Sequence, residues 1–494
     1  MKLKRLTITY GLALLALVLS APHCGSTDPG AKQTSERPNV LFIAIDDKND
    51  WTTLFDPANP IRTPNLERLA DRGCFFTRAY CAAPGCNPSR TALMTGLAPT
   101  TSGVYRNQDP WRTMLPDAVT MPQYFMRHGY DAKGAGKIFH HGVSGADDPS
   151  NPSFQEFFRM VRTRGPEHNY NGYRKPDEAK NEDPNLRKLD SADWTEEHLS
   201  RTPFDWGEHT QKMIDLDTVE WVEARMDEEW TKPMFLAAGI FKPHLPFYAP
   251  PDTFARYPLA ETTMPEMPAN DLDDVPAVGK EMAHTEFFIY SNVVKQQEGA
   301  AGSIQRMVQS YQASADFADQ MVGRLLDKLD ASGRADDTII VLWADHGYHL
   351  GDKESCVKFT LWEKANHVPF IVVAPGVTTP GSRVDSPVSL LDIYPTLLEL
   401  TGLPAKDDND GESLVPLLKD SIVKRSRPPV MTWLRGNHAV RTERWRYIRY
   451  RDGGEELYDH SKDPWEWTNL AGNPDYAAVI EEHRGLLPDD LEGE

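Results

Sequence analysis

Six short stretches of the chain carry residues able to do chemistry. Cys86 opens Cys86-Asn87-Pro88-Ser89-Arg90, followed by Thr91-Ala92-Leu93-Met94-Thr95-Gly96. The Ser-Arg-Thr-Ala-Leu-Met run reads as a helix N-terminus, which sets a candidate thiol nucleophile where backbone N–H groups and the helix dipole favour a bound anion. Asp46-Asp47 closes one apolar run, and Asp345-His346 closes another 299 positions later. Carboxylate oxygens suit a hard divalent cation such as Ca²⁺. Either pair alone is equally an ordinary strand-end turn; the two together, around one cysteine, point to a cation site. Gly136-Lys137-Ile138-Phe139-His140, Lys242-Pro243-His244-Leu245-Pro246-Phe247 and Val357-Lys358-Phe359-Thr360 supply lysines and histidines able to hold an anion and move protons. Each of these, taken singly, is equally a surface lysine, a turn histidine or a Pro-flanked strand exit.

The elements that must position these groups are legible as periodicity. Asn39–Ile45, Pro233–Ile240, Thr338–Trp343 and Pro369–Ala374 are unbroken apolar runs, the pattern of strands buried on both faces. A helix capped by Thr63, with Pro64 at its first position, is expected over 63–70, and further helices from Thr120 to His128-Gly129, over Met213–Glu228, and over Leu390–Leu400. A long amphipathic helix is expected over 305–331, with Met307, Tyr311, Ala315, Met321, Leu325 and Leu329 along one side. Gly134-Ala135-Gly136-Lys137 reads as a turn leaving a short strand. This alternation predicts an α/β fold with a large, mostly parallel sheet flanked by helices. Both Asp pairs then fall at the carboxyl edge of that sheet, where open α/β sheets bind ligands. Beyond about residue 428 short alternating segments predict a small antiparallel sheet closed by a helix near Ala477 to Arg484.

Four segments follow: 1–24 as a signal peptide, 25–37 as a polar linker, 38–425 as the large domain and 426–494 as a C-terminal subdomain. Residues 141–210, rich in Pro, Asp, Glu, Asn and Arg, read as a surface insertion that shapes a binding rim. Lys2, Lys4 and Arg5 precede an apolar run from Ile8 to Ala21, which fits export better than membrane spanning. Cys24 is a candidate lipid anchor, although Pro22-His23 is a poor match to such a site. The protein is therefore expected to be periplasmic or secreted, with no transmembrane segment in the mature chain.

The 494 residues carry 53 Lys and Arg against 73 Asp and Glu, a net charge of −20, which argues against a nucleic-acid partner. An anionic ligand would need a local cationic pocket within that acidic surface. Five cysteines are too few for a disulfide scaffold, and none has zinc-ligand spacing. One disulfide among Cys74, Cys81 and Cys356 is open, with no pairing assigned.

Taken together, these stretches resemble the type I, formylglycine-dependent sulfatases over roughly residues 38 to 470. The resemblance implies an alkaline-phosphatase-like fold. It implies that Cys86 is oxidised to formylglycine (3-oxoalanine) by a formylglycine-generating enzyme, and that the aldehyde hydrate attacks the sulfur of a sulfate ester. Asp46, Asp47, Asp345 and His346 match the family's metal ligands, with residue 86 supplying a further oxygen to Ca²⁺. Arg90 would support the hydrate, and Lys137 and Lys358 would hold sulfate. His244 would protonate the leaving oxygen, and His140 would take a proton from residue 86 as sulfate leaves. His346 and the Lys242–Phe247 segment resemble the iduronate-2-sulfatase-like branch, whose members point to sulfated sugars or glycosaminoglycan-type glycans. Two departures bear on the pocket: Cys356 sits two residues before Lys358, and Lys353-Glu354 replaces a more usual His-containing stretch.

Two other readings compete. One is a phosphodiester or phosphonate hydrolase of the same superfamily, and the other is a non-catalytic sulfated-glycan binding protein in which Cys86 stays a thiol. Trp51, Trp111 and Trp362 are either sugar-stacking or core and rim aromatics, the second being the favoured reading.

Overall fold

The computed structural model describes residues 37–140, 152–159, 206–210, 212–285, 290 and 303–488. The expected signal segment with Cys24, the linker up to residue 36 and most of the 141–210 insertion lie outside the described residues.

Strands in chain order are β1 (Asn39–Ile45), β2 (Cys74–Phe76), β3 (Ala79–Tyr80), β4 (Asp131–Gly136), β5 (Glu156–Phe158), β6 (Trp206–Glu208), β7 (Met234–Ile240), β8 (Phe247–Ala249) and β9 (Thr338–Ala344). They continue with β10 (His367–Val368), β11 (Phe370–Val373), β12 (Ser382–Val384), β13 (Val388–Ser389), β14 (Val430–Thr432), β15 (His438–Arg441), β16 (Trp445–Arg449) and β17 (Glu455–Asp459). The main sheet has eight strands in the order β12-β2-β11-β9-β1-β7-β4-β5. From β9 to β5 every pairing is parallel, while β11 runs antiparallel to both β9 and β2. Every residue of β1, β7 and β9 is buried. Because successive side chains alternate faces, that burial means both faces of the central sheet are covered. Packing of Phe42 against Phe235 and Trp343, each at 5.5 Å between ring centroids, anchors the centre. Truncating such a ring to Ala costs about 3–5 kcal/mol.

Two local expectations are corrected. Gly134 and Gly136 belong to β4 itself and do not form a turn after it. A Cβ at Gly136, whose φ is +78°, would lie 2.1 Å from the Gly239 carbonyl oxygen, and one at Gly134 would press on Phe154 and Phe157 at 3.0 Å. Glycine is therefore what lets β4 close against β7. Thr63 precedes the helix Pro64–Arg72 but does not cap it with its side chain. Its hydroxyl accepts from Leu54 N at 3.2 Å, and the helix N–H groups of Asn65 and Leu66 donate instead to Asp319 at 3.1 and 2.8 Å. Asp319 sits on the long helix Ser303–Ser332, so the cap is tertiary.

The small sheet, β14-β15-β16-β17, is antiparallel throughout, and the helix Ala477–Arg484 packs on β16. Trp51, Trp111 and Trp362 are 8%, 0% and 1% exposed, which makes them core residues. The four described cysteines are buried and unpaired. Among the described residues no helix is long and apolar enough to cross a membrane.

Candidate active site

Four neighbouring parallel strands end at one edge, and each delivers a polar group there. Register aligns Ile45 of β1 with Ala344 of β9 and Ile240 of β7, and Gly239 of β7 with Gly136 of β4. The ladder runs one residue further: Asp46 N donates to the Ile240 carbonyl, Asp345 N to Ile45 and Lys137 N to Gly239. Asp46-Asp47, Asp345-His346, Lys137 and the Lys242–Phe247 loop are thus fixed side by side by strand pairing. Their positions along the chain, 91 to 299 residues apart from Asp46 to Lys137 and Asp345, become irrelevant once the sheet forms.

Cys86 is the first residue of the helix Cys86–Thr95, all ten residues of which are buried. Gly85 at its N-cap offers no side chain, and Asn107 from another loop accepts the Asn87 N–H at 3.0 Å. Asn87 in turn donates to the Arg106 and Asp109 carbonyls, which locks that loop over the helix start. Ser89 donates to the Asp345 carbonyl at 2.6 Å, joining the helix to the end of β9.

The charged groups interlock. The Arg90 guanidinium donates to Asp345 Oδ2 at 2.9 Å and Asp46 Oδ1 at 3.0 Å, so it braces two carboxylates and does not point at the thiol. Lys137 donates to Asp46 Oδ2 and stands 3.7 Å from Cys86 Sγ. Lys358 donates to Asp47 Oδ1 at 2.6 Å and to Cys86 Sγ at 3.3 Å. His346 Nε2 is 3.3 Å from the same sulfur, with its Nδ1 on the Gly347 carbonyl at 3.0 Å. His140 and His244 lie beside the same thiol, whose influence opposes part of the lowering that burial imposes on their rings. The catalytic and metal-ligating candidates therefore line one buried site, Arg90 by bracing its carboxylates and the others around residue 86.

Electrostatics follow from that crowding. Burial opposes ionisation of Cys86, but Lys137, Lys358 and His346 outweigh it and hold the thiol well below its ordinary range. Burial and the two lysines pull His244 down to about 3, so its ring is neutral when no anion is bound. Burial likewise lowers His140, whose Nδ1 is enclosed without a partner. Asp47 is raised by burial despite Lys358, and it occupies a left-handed backbone position at φ 56°.

One ligand atom each from Asp46, Asp47, Cys86, Asp345 and His346 lie within 4.8 Å of one another. Asp47 Oδ2 is buried with no hydrogen-bond partner, a cost that a cation would relieve. Three carboxylates and an imidazole are a donor set for a hard divalent ion, so the residues fit the implied metal.

Several supporting residues carry no sequence signal of their own. Tyr311, on the long helix, donates to the Asp47 carbonyl at 2.7 Å and accepts from Asn49 N at 3.0 Å, which fixes the turn after β1. Asp215 accepts from Phe241 N at 2.6 Å and Lys242 N at 3.2 Å. Lys242 itself folds back on the carbonyls of His244 and Pro246, so it braces the His244 loop from inside. The two departures turn away from the site: Lys353 pairs with Asp271 at 2.6 Å, and Cys356 lies in the cluster of Phe247, Tyr311 and Tyr348.

Comparison with known proteins agrees with this geometry. Residues 38–403 match the family model described as Sulfatase, and residues 351–490 match N-sulphoglucosamine sulphohydrolase, C-terminal. A sulfatase of Formosa agariphila is 37% identical over 471 residues, covering 92% of this chain and 87% of its own. Iduronate 2-sulfatase of Homo sapiens is 29% identical over 436 residues, covering 80% and 74%. The solved structure of a 2-O GAG sulfatase superposes with a TM-score of 0.68 at 24% identity over 91% of each chain, a likeness that speaks to the fold.

Proposed function

The chain belongs to the sulfatase family and is a sulfuric ester hydrolase, and on that premise we propose that it removes sulfate from sulfated sugars, glycosaminoglycan-type glycans in particular, through formylglycine made from Cys86 and a bound Ca²⁺. The observation that carries this reading is the meeting of Cys86 Sγ, Lys358 Nζ at 3.3 Å and Lys137 Nζ at 3.7 Å above three buried carboxylates. Asp46, Asp47, Asp345 and His346 would hold the cation together with residue 86. When present, the formylglycine hydrate supplies the nucleophilic oxygen, and the cation lowers its pKa and polarises the sulfate.

The remaining chemistry belongs to the chain's own side chains. Lys137 and Lys358 face residue 86 and offset the charge of the sulfate oxygens in the transition state. Arg90 keeps Asp46 and Asp345 in place. His244, 13% exposed and with Nδ1 2.7 Å from the Leu245 carbonyl oxygen, is set to deliver a proton to the departing sugar oxygen. Its low pKa in the free protein comes from burial and from the two lysines, and a bound sulfate offsets those lysines and raises it. His140, neutral and enclosed beside residue 86, is placed to accept a proton there.

We read the iduronate-type resemblance as favouring a uronate-containing glycan, and the start of the chain as export, with Cys24 a candidate lipid anchor. Residues 38–425 would form the catalytic domain and 426–494 its C-terminal subdomain. The test is side-by-side turnover of 4-nitrophenyl sulfate, an aryl phosphodiester and a panel of sulfated mono- and disaccharides. Sulfate release from sugars should dominate. A faster phosphodiester rate, or binding of sulfated sugars without release, would overturn the proposal.

A further inference from the structure

We propose that Lys353 is a positioning residue for Lys358: it holds residues 351–359 in a strained backbone that fixes the Lys358 ammonium beside residue 86. For the role of Lys358 this rests on the sulfatase reading above. Lys353 turns away from the site, so its effect runs through the chain between the two lysines.

That chain is a tight hairpin loop. His349 N donates to the Val357 carbonyl and Gly351 N to the Ser355 carbonyl, each at 2.8 Å. Lys353 sits at the tip, and Lys358 is the first residue past the returning limb. The Tyr348 hydroxyl donates to the Cys356 carbonyl at 2.6 Å, and His349 Nε2 lies 2.7 Å from Thr360 Oγ1, which ties the limb and the base together. Beyond Lys358 the chain is clamped again. Phe359 stands at φ 79°, its N–H donates to the Pro84 carbonyl at 3.1 Å, and its ring stacks on Trp433 with centroids 4.8 Å apart. A shift of the tip therefore passes to Lys358, with no loose stretch to absorb it.

The tip has an unfavourable backbone. Lys353 and Glu354 both occupy the left-handed region, at φ 54° and 51°. L side chains of this kind rarely adopt it, and two in succession persist where their surroundings enforce them. Lys353 supplies that enforcement. Its ammonium pairs with Asp271 Oδ1 at 2.6 Å and donates to the Glu466 carbonyl, and its backbone N–H donates to Asp271 Oδ2 at 3.3 Å. Both partners are buried, so separating them would leave an uncompensated charge inside the protein. Glu354 has a weaker tie, to partly exposed His284 at 2.9 Å.

Lys358 needs this support because its ammonium rides on a flexible four-carbon stem. It must meet Asp47 Oδ1 at 2.6 Å and Cys86 Sγ at 3.3 Å together. A misplacement of about 1 Å in such a group costs on the order of 10²-fold in rate.

The experiment is a double-mutant cycle on 4-nitrophenyl sulfate, with Lys353→Met made in wild type and in Lys358→Ala, each rate referred to folded protein. Lys353→Met should lose about tenfold in kcat/KM in wild type and less than about twofold in Lys358→Ala. Lys353→Met with Asp271→Asn leaves no unpaired charge buried; it should show the same two losses and carries the test if the single variant does not fold. Amide hydrogen exchange over 349–360 should be faster in either variant than in wild type, a readout that needs no turnover. Equal losses in the two backgrounds, no loss in wild type, or unchanged exchange would overturn the proposal. A wild type that releases no sulfate from any ester counts against the sulfatase reading, and the exchange then decides by itself whether Lys353 holds the segment.

Discussion

The cluster around Cys86 and a second cluster around Glu363 and Glu466 are built from similar parts. Each gathers buried carboxylates, cations and a histidine whose ligand atoms lie close enough to hold a metal ion. Their hydrogen bonding differs. In the second cluster Glu363 accepts from Tyr80 at 2.8 Å and pairs with Arg446, while Glu466 accepts from Glu363 N at 2.8 Å and His460 at 2.9 Å and lies 2.6 Å from Arg446 Nε. Among the described residues, no carboxylate oxygen there is left over. The Cys86 cluster leaves Asp47 Oδ2 orphaned and balances much of its charge with lysines. A planar guanidinium fork fixes a carboxylate, whereas an ammonium on a flexible stem can pass from a carboxylate to an arriving anion. One cluster is complete as a structural tie; the other is complete only with ligands.

The largest expected effect separates the two outright. Cys86→Ala should lower sulfate release by roughly 10⁴-fold or more, since the nucleophile has no substitute. Its thermal midpoint should stay near that of wild type, and His460→Ala should keep kcat within about twofold. Next come the cations. Lys358→Ala or Lys137→Ala should cost about 10²–10³ in kcat/KM with little change in stability. Arg446→Met leaves Glu363 and Glu466 buried without their main partner and should cost roughly 3–5 kcal/mol in denaturant unfolding, with specific activity of the folded fraction retained. A smaller effect comes from the ion. Adding Ca²⁺ to chelator-treated protein should raise stability by about 2.7 kcal/mol at a hundredfold excess over Kd. Asp47→Asn should abolish that rise, and Glu466→Gln should keep it.

Acid provides the mildest test. Burial opposes ionisation of Glu363 and Glu466, but Arg446, then His460, outweighs it and holds both below the ordinary glutamate value of 4.5. Their folded-state pKa is depressed, so their stabilisation is present above pH 4.5 and is lost as pH falls through the folded value. Glu466→Gln should flatten the melting temperature against pH below that point. A slope unchanged from wild type would show that the cluster does not carry the acid sensitivity.

Much of this contrast could be read from the chain and some could not. The Asp46-Asp47 and Asp345-His346 pairs announce themselves because each ends a continuous apolar strand, and strand ends in a parallel sheet share an edge. Cys86, Lys137, His140, His244 and Lys358 were legible as motif elements, and the structure gathers them within reach of one sulfur. Asp215, Tyr311 and Asn107 were not, because their partners are backbone atoms brought near only by tertiary packing. The same holds for Asp319, which caps a helix that the sequence assigns to Thr63. Gly134 and Gly136 misled in the other direction, since glycine signals a turn and here permits close approach of two strands. Glu363 and Arg446 of the second charge cluster had no signature, for they look like ordinary surface charges until the small sheet folds over them.

The central claim is that residue 86, once converted, is the working group of the Lys137–Lys358 cradle. The direct measurement is mass spectrometry of the tryptic peptide containing Cys86, read beside sulfate release from the same preparations at different degrees of conversion. Activity should rise in proportion to the fraction carrying the aldehyde and extrapolate to zero for the pure thiol. Full-rate sulfate release from protein whose Cys86 is entirely unmodified would contradict the account.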